Sequence, residues 1–213
     1  MNKALCIFVL SQEFKNELIR RGVKSDIHLT STKVPDYFIS GFDLSMRQGK
    51  AKNIMYSGRI EKAKGVYETV DTFSILKSQY KDLTLTFVGD GSELPKLKQY
   101  VENKKIKDVR FTGRLCGEDF KKEYISADMY LFLSYTEGMP TVVLEAMIFG
   151  LPIFTRKVGG LIDFFENGKM GYISSSLDPV VFAEAMKPYI ESSAKMKSVS
   201  LYNSCLLYTS PSP

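Results

Sequence analysis

The sequence predicts an α/β protein built on a Rossmann-like, doubly wound parallel sheet. Three observations predict it. From Asn53 onward, short β-rich runs alternate with longer amphipathic ones. Several of the short runs are apolar throughout, as strands covered on both faces are. Glycine-bearing turns follow many of these runs, at the strand ends where such sheets bind ligands.

The elements justify themselves in order. Ala4–Leu10 reads as a buried strand feeding a helix over Ser11–Arg21, and Asp26–Thr30 as a second strand. The irregular Lys33–Lys50, with Pro35, Gly41 and Gly49, reads as a linker. Strands are then expected at Asn53–Ser57, Thr84–Val88, Val109–Thr112, Met129–Leu133, Ile153–Thr155 and Gly171–Ile173. Helices fall between them. Val66, Val70, Phe73 and Leu76 form one stripe over Val66–Gln79, and Leu94, Leu97 and Val101 another over Ser92–Asn103. Glu118–Ile125, Thr141–Phe149 and Asp178–Ile190 complete the set. Repeated strand–helix–strand units imply right-handed crossovers. Residues 1–42 are set apart as a separate piece with its linker, and residues 43–200 as the main domain. The last residues, SLYNSCLLYTSPSP, break the helical pattern before them and resemble a translated sequencing-adapter tail. Residues 201–213 are therefore expected to be non-native.

Composition narrows the function classes. With 44% apolar and 25% charged residues the chain is an ordinary globular one, which excludes collagen, coiled coil and a mainly disordered protein. No apolar run approaches the ~20 residues of a spanning helix. Cys6, Cys116 and Cys205 form no CxxC, and His28 is the single histidine, so a structural zinc site is not expected. Unpaired, widely spaced cysteines fit a reducing cytoplasm. A net charge of +5, with both signs interspersed, fits an anionic ligand or contact with the inner face of a membrane, and is too weak to argue nucleic acid.

Four segments could carry chemistry. The first is Ser57-Gly58-Arg59-Ile60-Glu61-Lys62-Ala63-Lys64-Gly65, after a strand and before a helix. Gly58 allows a tight turn and Gly65 a close backbone approach. Arg59 and Lys64 bring two cations beside helix-start amides, a set that suits a diphosphate, although a solvated basic loop reads the same way. The second, Gly89-Asp90-Gly91-Ser92-Glu93-Leu94, lacks the third glycine of GxGxxG; Ser92 as a helix N-cap is the simpler reading. The third runs from Glu137 through Gly138, Met139, Pro140, Thr141 and Val142 to Glu145. Here a Gly-Pro turn opens a helix whose first amides form an anion site. Glu137 and Glu145 can face one cleft and accept bidentately from sugar or ribose hydroxyls. The competing readings are that Glu137 caps the helix and Glu145 makes a surface ion pair. The fourth is Gly159-Gly160 with Asp163, a cap or a ligand contact. No GxSxG, HExxH or metal-holding Asp-x-Asp pair is present.

These pieces, in this order, resemble the C-terminal domain of family 4 glycosyltransferases of the GT-B fold. The resemblance covers about Asn53–Met186. It is carried by Gly58-Arg59, Lys64-Gly65, Phe87-Val88-Gly89-Asp90-Gly91, Phe111-Thr112-Gly113, Ala127-Asp128, Glu137-Gly138-Met139-Pro140, Leu144-Glu145-Ala146-Met147, Gly150-Leu151-Pro152 and Gly159-Gly160. It implies a retaining, metal-independent transfer of sugar from a nucleotide-diphosphate sugar, UDP-linked by base rate, to a sugar or lipid-linked acceptor in polysaccharide or glycolipid synthesis. It implies that Arg59 and Lys64 grip the diphosphate, that Glu145 holds the ribose, and that Glu137 contacts the transferred sugar. Amides from Gly138 to Val142 would line the sugar and phosphate, and Arg114-Leu115 would contact the base. It also implies that residues before Asn53 are the remnant of an acceptor-binding N-terminal domain, so this chain is expected to bind donor without completing transfer. A non-catalytic nucleotide-sugar module, a GT-B nucleotide-sugar epimerase and an NAD-binding domain are the rival readings.

Overall fold

The computed structural model describes residues 5–30, 38, 40–46 and 51–209. The first piece folds as β1 (Cys6–Val9), α1 (Gln12–Arg20) and β2 (Asp26–Leu29), with β1 and β2 paired in parallel. The buried Ser11 begins α1 as predicted, its hydroxyl accepting from Phe14 N at 3.2 Å. The expectation of a buried first strand fails. Leu5 and Phe8 are 95% and 66% exposed, because among the described residues only β2 pairs with β1. Most of the Lys33–Lys50 linker lies outside the described residues.

The main domain is β3 (Asn53–Ser57), α2 (Val66–Gln79), β4 (Thr84–Val88), α3 (Leu94–Asn103), β5 (Val109–Gly113), α4 (Gly117–Ser126), β6 (Met129–Phe132), α5 (Thr141–Ile148), β7 (Ile153–Arg156), β8 (Gly171–Ser174), α6 (Pro179–Glu191) and α7 (Ser193–Thr209). Its six strands pair in parallel in the order β5-β4-β3-β6-β7-β8. The chain thus winds outward from β3 to β5, then crosses back to lay β6 on the other side of β3. The order reverses at β3 and β6, and the carboxyl edge at that reversal is where sheets of this kind carry their ligand crevice.

The predicted stripes become the core. Val66, Val70, Phe73 and Leu76 of α2 are fully buried, and all four residues of β6 lie inside. The α6 start follows its sequence signal: Asp178 accepts from Val180 N at 2.9 Å, with Pro179 in the first turn.

Two boundary expectations are corrected. Helix α3 starts at Leu94 with Glu93, not Ser92, at the N-cap, and without a side-chain cap bond. The helical pattern does not break at residue 201: α7 runs on to Thr209, and Asn203 is fully buried. Its Nδ2 donates to Leu151 O at 2.8 Å and to Met170 O at 3.0 Å. Periodicity missed α7 because its apolar residues do not gather on one stripe.

Candidate functional site

Three segments converge on the crevice, and glycines let them do so. Gly58, with φ 145°, donates from its amide to Val88 O at 3.0 Å. A Cβ on Gly89 would lie 1.9 Å from Gly58 O, and one on Gly91 would lie 2.4 Å from Ile60 O. The incomplete Gly-x-Gly turn is therefore a backbone brace for the 58–65 loop. Ile60 N donates to Asp90 O at 2.9 Å and Glu93 N to Ile60 O at 3.0 Å, which closes the brace. At the far end of the same loop, Lys62–Lys64 form a short 3-10 turn that stops at Gly65. Gly65 has φ 66°, and its Cβ would meet Leu133 O at 2.0 Å. Only glycine lets the loop after β3 pack against the end of β6 here.

The loops after β3 and β6 are also stitched together by polar bonds. Tyr135 N donates to Ala63 O at 2.9 Å, and Ser134 Oγ donates to the same carbonyl at 3.3 Å. Tyr135 Oη donates to Glu68, while Arg156 lies over the Tyr135 ring at 4.9 Å.

Across this seam stands the strongest charged contact of the site. Lys64 Nζ donates to Glu137 Oε1 at 2.7 Å, with side chains only 16% and 13% exposed. At that burial, deleting one partner strands the other charge in a low-dielectric setting, at a cost of about 3–5 kcal/mol. Glu137 is thus not a helix cap; the N-cap of α5 is Pro140. Arg59 behaves differently. It is 69% exposed and paired with Glu61 at 2.9 Å, a surface contact of little structural worth. It is a mobile-length cation at the rim, whereas Lys64 is fixed inside.

At the start of α5, the amides of Gly138, Met139, Thr141 and Val142 have no hydrogen-bond acceptor among the described residues. Gly138 O accepts from Gly160 N at 2.7 Å, so the Gly159-Gly160 turn supports this loop. A Cβ on Gly159 would lie 2.0 Å from Gly138 O. The first piece touches the same place. Asp163 Oδ2 accepts from Gln12 N at 2.9 Å, so Asp163 caps α1 from 151 residues away.

The two glutamates do not share one environment. Glu145 makes no ion pair among the described residues. Its Oε2 lies 2.8 Å from Tyr124 Oη, and burial pushes its carboxyl above the ordinary glutamate range, against the opposing effect of that tyrosine. Tyr124 in turn touches Ser57 Oγ at 2.8 Å, and Ser57 Oγ touches Tyr130 Oη at 2.8 Å. Oε2 of Glu145 is thus engaged by Tyr124 inside the protein.

Arg114 is exposed and Leu115 partly buried on the loop after β5. Gly113 O accepts from Gly89 N at 2.9 Å, joining that loop to the brace. Sequence reasoning missed Tyr124, Tyr130 and Tyr135, and included Ser57 in the first segment without giving it a role. Hydroxyl groups set in otherwise apolar strands, as Ser57 and Tyr130 are, were the available signal. A separate cavity of about 320 Å³, lined by Asn53, Thr84, Asp108, Arg110 and Glu123, lies at the amino edge of the sheet, away from the crevice.

Comparison with known proteins gives this geometry its context. The family model described as glycosyl transferases group 1 matches residues 45–203. The chain is 32% identical over 111 residues to the putative teichuronic acid biosynthesis glycosyltransferase TuaC of Bacillus subtilis, covering 52% of this chain and 26% of that protein. It is 29% identical over 149 residues to glycogen synthase of Mycobacterium tuberculosis, covering 70% of this chain and 36% of that one. The chain thus spans about a quarter to a third of the length of these relatives. Its fold is similar to that of HepE from Anabaena, crystallised in complex with UDP and glucose, with a TM-score of 0.79 at 18% identity over 96% of this chain and 58% of that one.

Proposed function

The chain belongs to the glycosyl transferases group 1 family, and from that premise we propose that it is the donor-binding part of an enzyme that moves a sugar from a nucleotide-diphosphate sugar to an acceptor. One observation carries the reading. A nearly buried Lys64–Glu137 pair stands at the switch-point crevice, beside amides at the start of α5 that have no internal acceptor.

The chemistry follows from the groups present. In a retaining transfer, positive charge grows at the anomeric carbon and negative charge on the departing diphosphate. Lys64 and the α5 amides, fixed in advance, stabilise the negative charge without reorganising. Arg59, long and exposed, reaches the outer phosphate as the ligand docks. Glu137, already beside Lys64, faces the sugar end and offsets the growing positive charge. Glu145 accepts a ribose hydroxyl through Oε1, Gly58 keeps the β3 turn open, and Arg114 with Leu115 flanks the base. Lys64 and the α5 amides make a metal unnecessary in this reading. The preferred donor is a UDP-sugar, supported by the UDP and glucose in the related HepE complex. Product synthesis in polysaccharide or glycolipid assembly, with an acceptor held outside this domain, completes the proposal.

Calorimetric titration of the chain with UDP, GDP and ADP, with and without a chelator, tests it. One nucleotide should bind, unaffected by chelation, and Arg59→Ala should weaken it. A folded chain that binds none of the three contradicts the reading.

A further inference from the structure

The first piece meets the main domain beside the start of α5, and a charged side chain reaches across the join. Helix α1 has two N-terminal caps of different origin. Ser11 Oγ, inside the piece itself, accepts from Phe14 N at 3.2 Å. Asp163 Oδ2, from the main domain, accepts from Gln12 N at 2.9 Å. The first bond travels with the piece. The second exists only while the piece is docked, and the helix dipole adds to it by favouring a carboxylate at the first turn. Docking is close at the same place. A Cβ on Gly160 would lie 2.5 Å from Leu10 O. One on Gly138 would lie 3.6 Å from Leu10 Cδ1 and 3.8 Å from Phe14 Cε2. Ser11 and Gly160 are both buried.

We infer that Asp163 is a latch that holds the first piece down on the loop at the start of α5. Its place in the fold gives it that reach. Asp163 ends the short 3-10 turn Gly159–Asp163, and Gly160 of the same turn donates from its amide to Gly138 O at 2.7 Å. One turn thus grips α1 with its last residue and the α5 loop with its second. With the latch made, Leu10 and Phe14 stand over Gly138, next to Glu137, and set the width of the crevice there. With it broken, Gln12 N and the Asp163 carboxylate each pass to water, and the piece loses its charged tether. Strand pairing does not replace that tether, because among the described residues β1 and β2 pair with each other and not with the main sheet. Asp163 is here a positioning residue: it fixes where α1 stands. The inference goes beyond the nucleotide reading and does not depend on it.

The test is pulsed dipolar distance measurement on the full 213-residue chain without ligand. Spin labels sit on Cys6 in β1 and Cys116 just before α4, both exposed, and Cys205→Ser removes the third labelling site. With Asp163 present, one distance should dominate. Asp163→Ala should raise the ratio of open to closed forms about fivefold, the worth of one N-cap. Asp163→Lys sets a cation against the start of α1 and should raise it further. Asp163→Asn keeps an acceptor oxygen and should stay close to the native distribution. Ser11→Ala removes the local cap but leaves the latch, so its single distance should persist. A native-like distribution in both Asp163→Ala and Asp163→Lys overturns the inference. So does Ser11→Ala opening the distance as far as Asp163→Ala, since loss of helix capping alone would then be the cause. Residue 163 is exposed, so these variants leave the core intact, and two different side chains there guard against one failing to fold. No nucleotide enters the experiment, so its failure is distinct from failure of the donor reading.

Discussion

Glu137 and Glu145 stand eight positions apart in one motif, yet the molecule treats them in opposite ways. Glu137, on the loop, meets the Lys64 ammonium at 2.7 Å. Glu145, one turn into α5, meets a neutral tyrosine at the end of a sealed hydroxyl chain. Both are largely removed from water, so the difference lies in the partner. The first carboxylate faces a cation, and the second faces a neutral hydroxyl with no counter-charge among the described residues. The lesson is that a repeated residue type in a motif does not imply a repeated electrostatic role.

The largest expected effect breaks the charged side of that contrast. Lys64→Ala leaves Glu137 buried without its partner and should cost about 3–5 kcal/mol in urea unfolding, while Lys64→Met together with Glu137→Gln should recover much of the loss. Equal costs for the single and double variants would show that the pair is not coupled.

Next comes the seam that brings Lys64 to Glu137. Gly65→Ala sets a Cβ on Leu133 O and forces a non-glycine residue to φ 66°. We expect a loss of about 3 kcal/mol, read as a lower thermal midpoint. An unchanged midpoint would mean that the two loops are free to part.

A smaller effect sharpens the neutral side. Glu145 titrates higher folded than unfolded, so the folded state binds the extra proton between the two values. Its contribution to stability is therefore present below the unfolded value and is lost as pH rises through the folded one. Glu145→Gln should flatten that part of the stability–pH curve, as measured by denaturant unfolding across mildly acidic to neutral pH. An identical slope in the variant would place the proton elsewhere. The smallest effect is Ser92→Ala, expected within about 0.5 kcal/mol because Ser92 caps nothing. Ser11→Ala, which removes a real cap, should cost about 1 kcal/mol.

Much of this was legible in the residues. Strands with apolar runs and helices with clear stripes stand where the pattern puts them, because burial on a sheet and on a helix face imposes distinct periods. The positions of Gly58, Gly65 and Gly159 at strand-end loops were equally readable, since few other residues tolerate such backbone angles and approaches. What could not be read was pairing across the fold. Nothing local says that Lys64 turns inward to Glu137 while Arg59 stays outside. Nor does the helix of Tyr124 announce a bond to Glu145 twenty-one residues later. The same holds for Asp163, whose partner is the amide of Gln12. Helix α7 escaped for a different reason: its anchoring residue is polar, Asn203 bonding two buried carbonyls, and a hydrophobic pattern does not record that.

The most direct test of the donor-site account compares UDP affinity in the native chain, Lys64→Ala and Glu145→Gln, by calorimetry at one pH and low salt. The account predicts that Lys64→Ala loses at least about tenfold, the worth of a charge-assisted phosphate contact, with circular dichroism showing a retained fold. It predicts a smaller loss for Glu145→Gln, whose amide still offers an acceptor oxygen. Native-like UDP affinity in a folded Lys64→Ala chain would contradict it.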